Sequence, residues 1–149
     1  MNRKLTMGSL FDGSGGFPLG GLMSGVTPVW ASEIEPFPIR VTTKRLPFMK
    51  HYGDISQMDG GKIEPVDIIC FGSPCTDMSV AGRRAGLDGK QSVLFYQAIR
   101  IITEMRCATN GKYPRWICCA IPSATPAGRM PWFWIPSAAA APPLWPVSR

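Results

Sequence analysis

The stretch Lys4–Gly16, KLTMGSLFDGSGG, decides the fold. Lys4–Phe11 reads as a β-strand, and DGSGG ends it with three glycines. Glycines there let the backbone turn tightly and approach a bound ligand closely. A helix is expected next, from Phe17 to Ser24. Alone, the glycine cluster reads equally well as a plain turn. Further along, Thr27–Ser32 (TPVWAS) is a second strand, closed by Glu33, twenty residues beyond Gly13. In a Rossmann-like sheet such a carboxylate accepts hydrogen bonds from ribose hydroxyls. Gly13, Gly15, Gly16 and Glu33 together therefore point to a nucleoside-bearing cofactor at the carboxyl ends of the strands. Phe11–Gly16 has the spacing FxGxGG and not GxGxxG, which argues against NAD.

The rest of the first 115 residues continues the alternation. Pro36–Met49 reads as a helix with proline in its first turn, where the missing N–H does no harm. His51–Asp54 reads as a short third strand. Val66–Phe71 (VDIICF) is a continuous apolar run, as in a strand buried on both faces of a parallel sheet. A polar, Gly-rich loop runs from Gly72 to Ser92, and long loops inside compact domains tend to be functional. Leu94, Ala98, Ile101, Ile102 and Met105 then mark one face of an amphipathic helix. The alternation implies an α/β fold with a doubly wound parallel sheet.

Composition narrows the class. The chain has 149 residues, enough for one domain, and 45% are hydrophobic, which excludes a wholly disordered chain. No apolar run is long enough to span a bilayer, and the N-terminus does not read as a signal peptide. Five cysteines without a CxxC argue against a disulfide framework and for a reducing, cytoplasmic setting. The formal charge of +6 is compatible with a nucleic-acid partner.

Cys75, in FGSPCTDMS (71–79), follows the carboxyl end of the buried run, where such sheets place their active sites. Pro74 fixes the backbone before it. A thiol there, with its pKa lowered by backbone N–H groups or cations, is a candidate nucleophile. Cys70, inside the run, reads as an inert core residue, and Cys118 and Cys119 carry no assignment. Asp54, in Gly53-Asp54-Ile55, is either a contact to an amino group of a base or a capping residue in a turn. Arg83, Arg84 and Lys90 would meet phosphates or simply face water. His51 is the only histidine and no cysteine spacing suits zinc, so no metal is expected.

Taken together, these segments resemble the DNA (cytosine-5)-methyltransferases of bacteria and phages, over about residues 6 to 115. LFDGSGGFPLG is similar to the family's first cofactor motif, SEIEPFP to its ribose-binding motif, GDI to its third motif, GSPCTDMSVAG to its Pro-Cys catalytic motif, and SVLFYQAIRII to the segment after the catalytic loop. The resemblance implies the Rossmann-like sheet of a class I S-adenosylmethionine-dependent methyltransferase, incomplete at its C-terminus. It implies S-adenosylmethionine as cofactor. Phe11, Gly13, Gly15, Gly16 and Pro74 are counted with its site, Glu33 is assigned to the ribose, Ile34, Asp54 and Ile55 to the adenine, and Leu94 to a further contact. Cys75 is implied as the nucleophile that adds to carbon 6 of a cytosine flipped out of double-stranded DNA, before methylation at carbon 5. A monomer in a restriction–modification or phage-protection system is expected.

The chain also departs from that family. Thr76 stands where Gln is usual, and Cys119–Pro122 (CAIP) stands where a Glu-Asn-Val motif is expected, so no acid is available to hold and protonate the base. The target-recognition domain and the last cofactor motif have no counterpart. Residues 116–149 lack Asp and Glu, hold four of the five tryptophans and seven of the fifteen prolines, and show no helical or strand period. They read as a tail, truncated or out of frame, leaving the edge of the last family strand (115–120) open. A weak or inactive fragment is expected; the alternatives are a degenerate S-adenosylmethionine-binding module and an NAD-type oxidoreductase.

Overall fold

The computed structural model describes residues 3–72, 90–120 and 132–136, with backbone alone for 90–92, 120 and 132–136. Its elements are β1 (Thr6–Leu10), α1 (Gly16–Met23), β2 (Thr27–Ser32), α2 (Pro36–Arg45), β3 (Lys50–His51), a 3-10 turn (Ile55–Gln57), β4 (Ile68–Gly72), α3 (Lys90–Ala108), β5 (Trp116–Ala120) and β6 (Trp132–Pro136). The strands form one sheet in the order β3-β2-β1-β4-β5-β6. The first five are parallel, and β6 runs antiparallel to β5. The chain winds outward from β1 in both directions, so the expected doubly wound α/β fold is the one observed.

Local chemistry explains most boundaries. Gly15, with φ +88°, caps α1, and Gly25, with φ +78°, ends it. The Val26 N–H returns to Gly21 O at 2.8 Å and the Gly25 N–H to Leu22 O at 3.1 Å, a Schellman closure. In β1, Gly8 is required by packing, because a Cβ there would collide with the indole of Trp30. The β1–β2 register slips between Met7 and Gly8, opposite Pro28, a site where a strand tolerates proline. Helix α2 stops at Arg45, four residues before the expected Met49. Leu46 precedes Pro47 and takes φ −128°, as residues before proline are steered out of the helical region. The expected strand at 51–54 is shorter and earlier, at Lys50–His51, because Asp54 is committed to capping the 3-10 turn.

Helix α3 and the 3-10 turn cover one face of the sheet. Ala98, Ile101, Ile102 and Met105 pack there against Leu10, Trp30, Ile69 and Phe71. On the other face Phe17 of α1 meets Met7, Ile68, Cys70 and Cys118. Asp67, fully buried, ties three strands together at their amino ends. Its carboxylate accepts from the Thr6 N–H and hydroxyl, both at 3.0 Å, and pairs with Arg3, while its carbonyl accepts the N–H groups of Arg115 and Trp116.

Two expectations about the tail need correction. Residues 132–136 form a strand, although no period marks them, and that strand pairs with β5 along its whole length. The β5 edge is therefore covered. Backbone hydrogen bonding asks only for an unoccupied edge and an extended segment, so a sequence without binary pattern can still supply it. Among the described residues, no helix is long and apolar enough to cross a membrane.

Candidate functional site

β1, β2 and β4 are neighbours in one parallel register, so their carboxyl ends lie on one side of the sheet. The chain leaving them walls a cavity of about 300 Å³. Phe11 follows β1, Ser32–Glu35 end and follow β2, Asp54 and Ile55 follow β3, Gly72 ends β4, and Leu94 reaches in from α3.

Glu33 is the best-tethered group in it. One carboxylate oxygen accepts the Gly13 N–H at 2.7 Å; the other accepts the N–H groups of Ile34 at 2.8 Å and Glu35 at 3.0 Å. The twenty-residue spacing read from the sequence is thus a direct bond between the glycine turn and the acid. A carboxylate has about four acceptor positions, so three backbone donors leave capacity for a hydroxyl. Gly13 itself takes φ +57°, a conformation that side chains resist.

Gly13, Gly15 and Gly16 are not on the cavity wall; they shape the turn behind it. Phe11 also has a positive φ, +54°, which is strained for a bulky residue. Such strain collects at functional positions.

Asp54 plays both parts left open by its sequence. It lines the cavity, and its Oδ1 accepts the Ser56 N–H at 2.8 Å, which holds its pKa below the usual carboxylate range. Its position is enforced from α3. Arg100 donates to the carbonyls of Ile55 at 2.8 Å and Met58 at 2.9 Å, and pairs with Glu104 at 2.9 Å. Glu104 in turn accepts the Gly60 N–H at 2.7 Å.

Asp12 carried no role in the sequence reading. It is buried behind the glycine turn, with Oδ1 accepting from the Ser9 hydroxyl at 2.7 Å and Oδ2 without a partner among the described residues. Burial pushes its pKa up to about 6; the Ser9 bond opposes this and the Glu33 charge adds to it. Ser32, Glu35 and Gly72 were missed as wall residues too. Their only signal was adjacency to Glu33 and to the Pro-Cys segment.

Six residues singled out beforehand, Phe11, Glu33, Ile34, Asp54, Ile55 and Leu94, thus face one cavity. Pro74, Cys75, Thr76, Arg83 and Arg84 lie outside the described residues, and Cys75 follows the cavity residue Gly72 by three positions. Lys90 opens α3, described by its backbone alone.

Comparison with known proteins agrees with the geometry. A family model described as C-5 cytosine-specific DNA methylase matches residues 5–116. The Type II methyltransferase M1.ScrFI of Lactococcus lactis subsp. cremoris is 38% identical over 104 residues, covering 69% of this chain and 26% of that protein. The DNA N-6-adenine-methyltransferase of Escherichia phage P1 is 32% identical over 103 residues, covering 66% of this chain and 14% of that protein. A prophage-encoded E. coli protein assigned as a DNA modification methyltransferase superposes with a TM-score of 0.61 at 21% identity, over 79% of this chain and 32% of that one. That last likeness concerns the fold. The chain spans about a quarter or less of the length of these two curated relatives.

Proposed function

The chain belongs to the C-5 cytosine-specific DNA methylase family, and from that premise we propose that it binds S-adenosylmethionine in the cavity beside β1, β2 and β4. Cys75 would be presented to a cytosine flipped out of double-stranded DNA. The observation that carries this reading is the convergence of Phe11, Glu33, Ile34, Asp54, Ile55 and Leu94 on one wall. Their chemistry suits the ligand. A tethered carboxylate serves a ribose diol, a second carboxylate serves an exocyclic amine, and an aromatic ring with aliphatic side chains serves the faces of a purine.

When bound, S-adenosylmethionine supplies a methyl group on a sulfonium, an electrophile that needs no metal. Glu33 fixes the ribose, and Ile34, Asp54 and Ile55 fix the base beside it. The Cys75 thiolate adds to carbon 6 of the cytosine, which makes carbon 5 nucleophilic toward that methyl group. Loss of the carbon-5 proton then expels the thiolate. A thiol is needed because an aromatic ring carbon is a poor nucleophile, whereas an exocyclic amine already carries a lone pair. That difference, with the family match, favours cytosine carbon 5 as the target over an amine.

Cys119–Pro122 offers no acid to protonate the base, and losing a general acid costs about 10²–10⁴-fold in rate. The expected activity is accordingly weak, and residues 116–149 are read as a segment foreign to the family. Calorimetric titration with S-adenosylmethionine and with NAD tests the cavity: binding of the first alone is expected, and binding of NAD alone would refute the reading. DNA bearing 5-fluorocytosine tests the thiol. A covalent adduct lost in Cys75→Ser supports it, and one retained in that variant refutes it. Cofactor binding with no adduct would favour the second reading, a cofactor-binding module without catalysis, for which the missing acid is the argument.

A further inference from the structure

Cys70 and Cys118 stand opposite each other in the β4–β5 register, on the sheet face that also carries Met7 and Ile68. Interaction between the two thiols holds Cys118 low and, with burial, pushes Cys70 up. Both residues line a second cavity of about 310 Å³, between this face and α1 and open to solvent. Among the described residues its wall includes Met7, Phe17, Val26 and Ile68 and no charged side chain. Cys119, next in sequence, belongs to the core on the opposite face.

We propose that this cavity is a dithiol site for neutral, trivalent thiophilic ligands, of which an aryl arsenical is the type, with arsenic bridging Cys70 Sγ and Cys118 Sγ. Three features of the site favour this class over a metal ion. Structural zinc takes four ligands, and among the described residues no three His, Cys, Asp or Glu side chains gather closely enough to hold an ion. Two thiolates on a monovalent soft cation would leave a net negative charge in a wall that holds no cation among the described residues, which is costly. Arsenic(III) forms a neutral product: the As=O oxygen leaves as water with both thiol protons, two As–S bonds form, and no atom changes oxidation state. Two thiols on register partners of adjacent strands also suit the narrow bite of a pyramidal centre better than a linear one. The aryl group then finds apolar contacts at Phe17, Val26 and Met7. This site stands independently of the cofactor reading.

The test titrates the full chain with phenylarsine oxide and reads intact mass. One equivalent should add with loss of water, resist a monothiol and be released by a dithiol. Tandem mass spectrometry should place the bridge between Cys70 and Cys118. Cys70→Ser and Cys118→Ser should lose the adduct, while Cys107→Ser keeps it. If either serine variant fails to fold by circular dichroism, the wild-type bridge map decides alone. No adduct, or a bridge involving Cys75, Cys107 or Cys119, would overturn the proposal.

Discussion

Asp12 has one oxygen bonded to Ser9 and one without a partner among the described residues, in a buried position behind the glycine turn. In an unfolded chain such a carboxyl binds its proton only below about pH 4; in the fold it holds it up to about 6. The folded state therefore binds more protons across that window, and stability falls as pH rises from about 4 through 6. Asp12→Asn removes the titration. Melting curves of wild type and variant should draw apart between pH 4 and 7, the wild type losing ground; parallel pH profiles would disprove the assignment. Gly15 makes a second residue-scale case. Its φ is +88° and a Cβ would lie 2.8 Å from Thr42 Cγ2. Gly15→Ala should cost about 1–3 kcal/mol, through strain and crowding together, measurable by urea unfolding. An unchanged midpoint would show that the turn is free to rearrange.

Among the elements, α3 does more than fill one face of the sheet. Its apolar stripe packs on the core, while Arg100 and Glu104 grip the segment from Ile55 to Gly60. Asp54 and Ile55 thus owe their place on the cavity wall to a helix far along the chain. Arg100→Ala removes the guanidinium that the Ile55 and Met58 carbonyls and the Glu104 carboxylate share as a donor. The expected cost is about 1–3 kcal/mol of stability, with a several-fold loss of S-adenosylmethionine affinity. The conservative Arg100→Lys should recover only part of both, since an ammonium lacks the planar fork. Affinity that is unchanged in Arg100→Ala would show that the 3-10 turn holds itself. β6 is testable as an element as well. With partners on both sides, all amides from Trp116 to Ala120 should exchange slowly with deuterium. Rapid exchange at alternate positions would mean that the β5 edge is open.

Across the whole molecule, the sheet divides the labour between its ends. The carboxyl ends of the strands carry the cavity. The amino ends carry Asp67, which joins Thr6 on β1, its own place before β4, and the start of β5. Asp67→Ala removes the acceptor for the Thr6 N–H and hydroxyl and the counter-charge of Arg3. It should cost about 2–4 kcal/mol and lower the melting temperature without changing the cavity residues. A loss below 1 kcal/mol would mean that water replaces the carboxylate.

The sequence by itself determined the alternation of strands and helices, the parallel sheet, the glycine turn and the pairing of that turn with Glu33. These depend on local patterns: apolar runs, glycine at positive φ, and proline where a helix begins. It also singled out Phe11, Glu33, Ile34, Asp54 and Ile55, which follow strand ends that converge in a parallel sheet, together with Leu94, and it missed Ser32, Glu35 and Gly72. Only the tertiary structure decided that β6 closes the β5 edge, that Asp12 is buried with one oxygen unpartnered among the described residues, and that Cys70 faces Cys118. These rest on contacts between segments up to 48 residues apart in the register of β4 and β5. No local period encodes such contacts, because a side chain's burial and bonding depend on what the rest of the chain packs beside it.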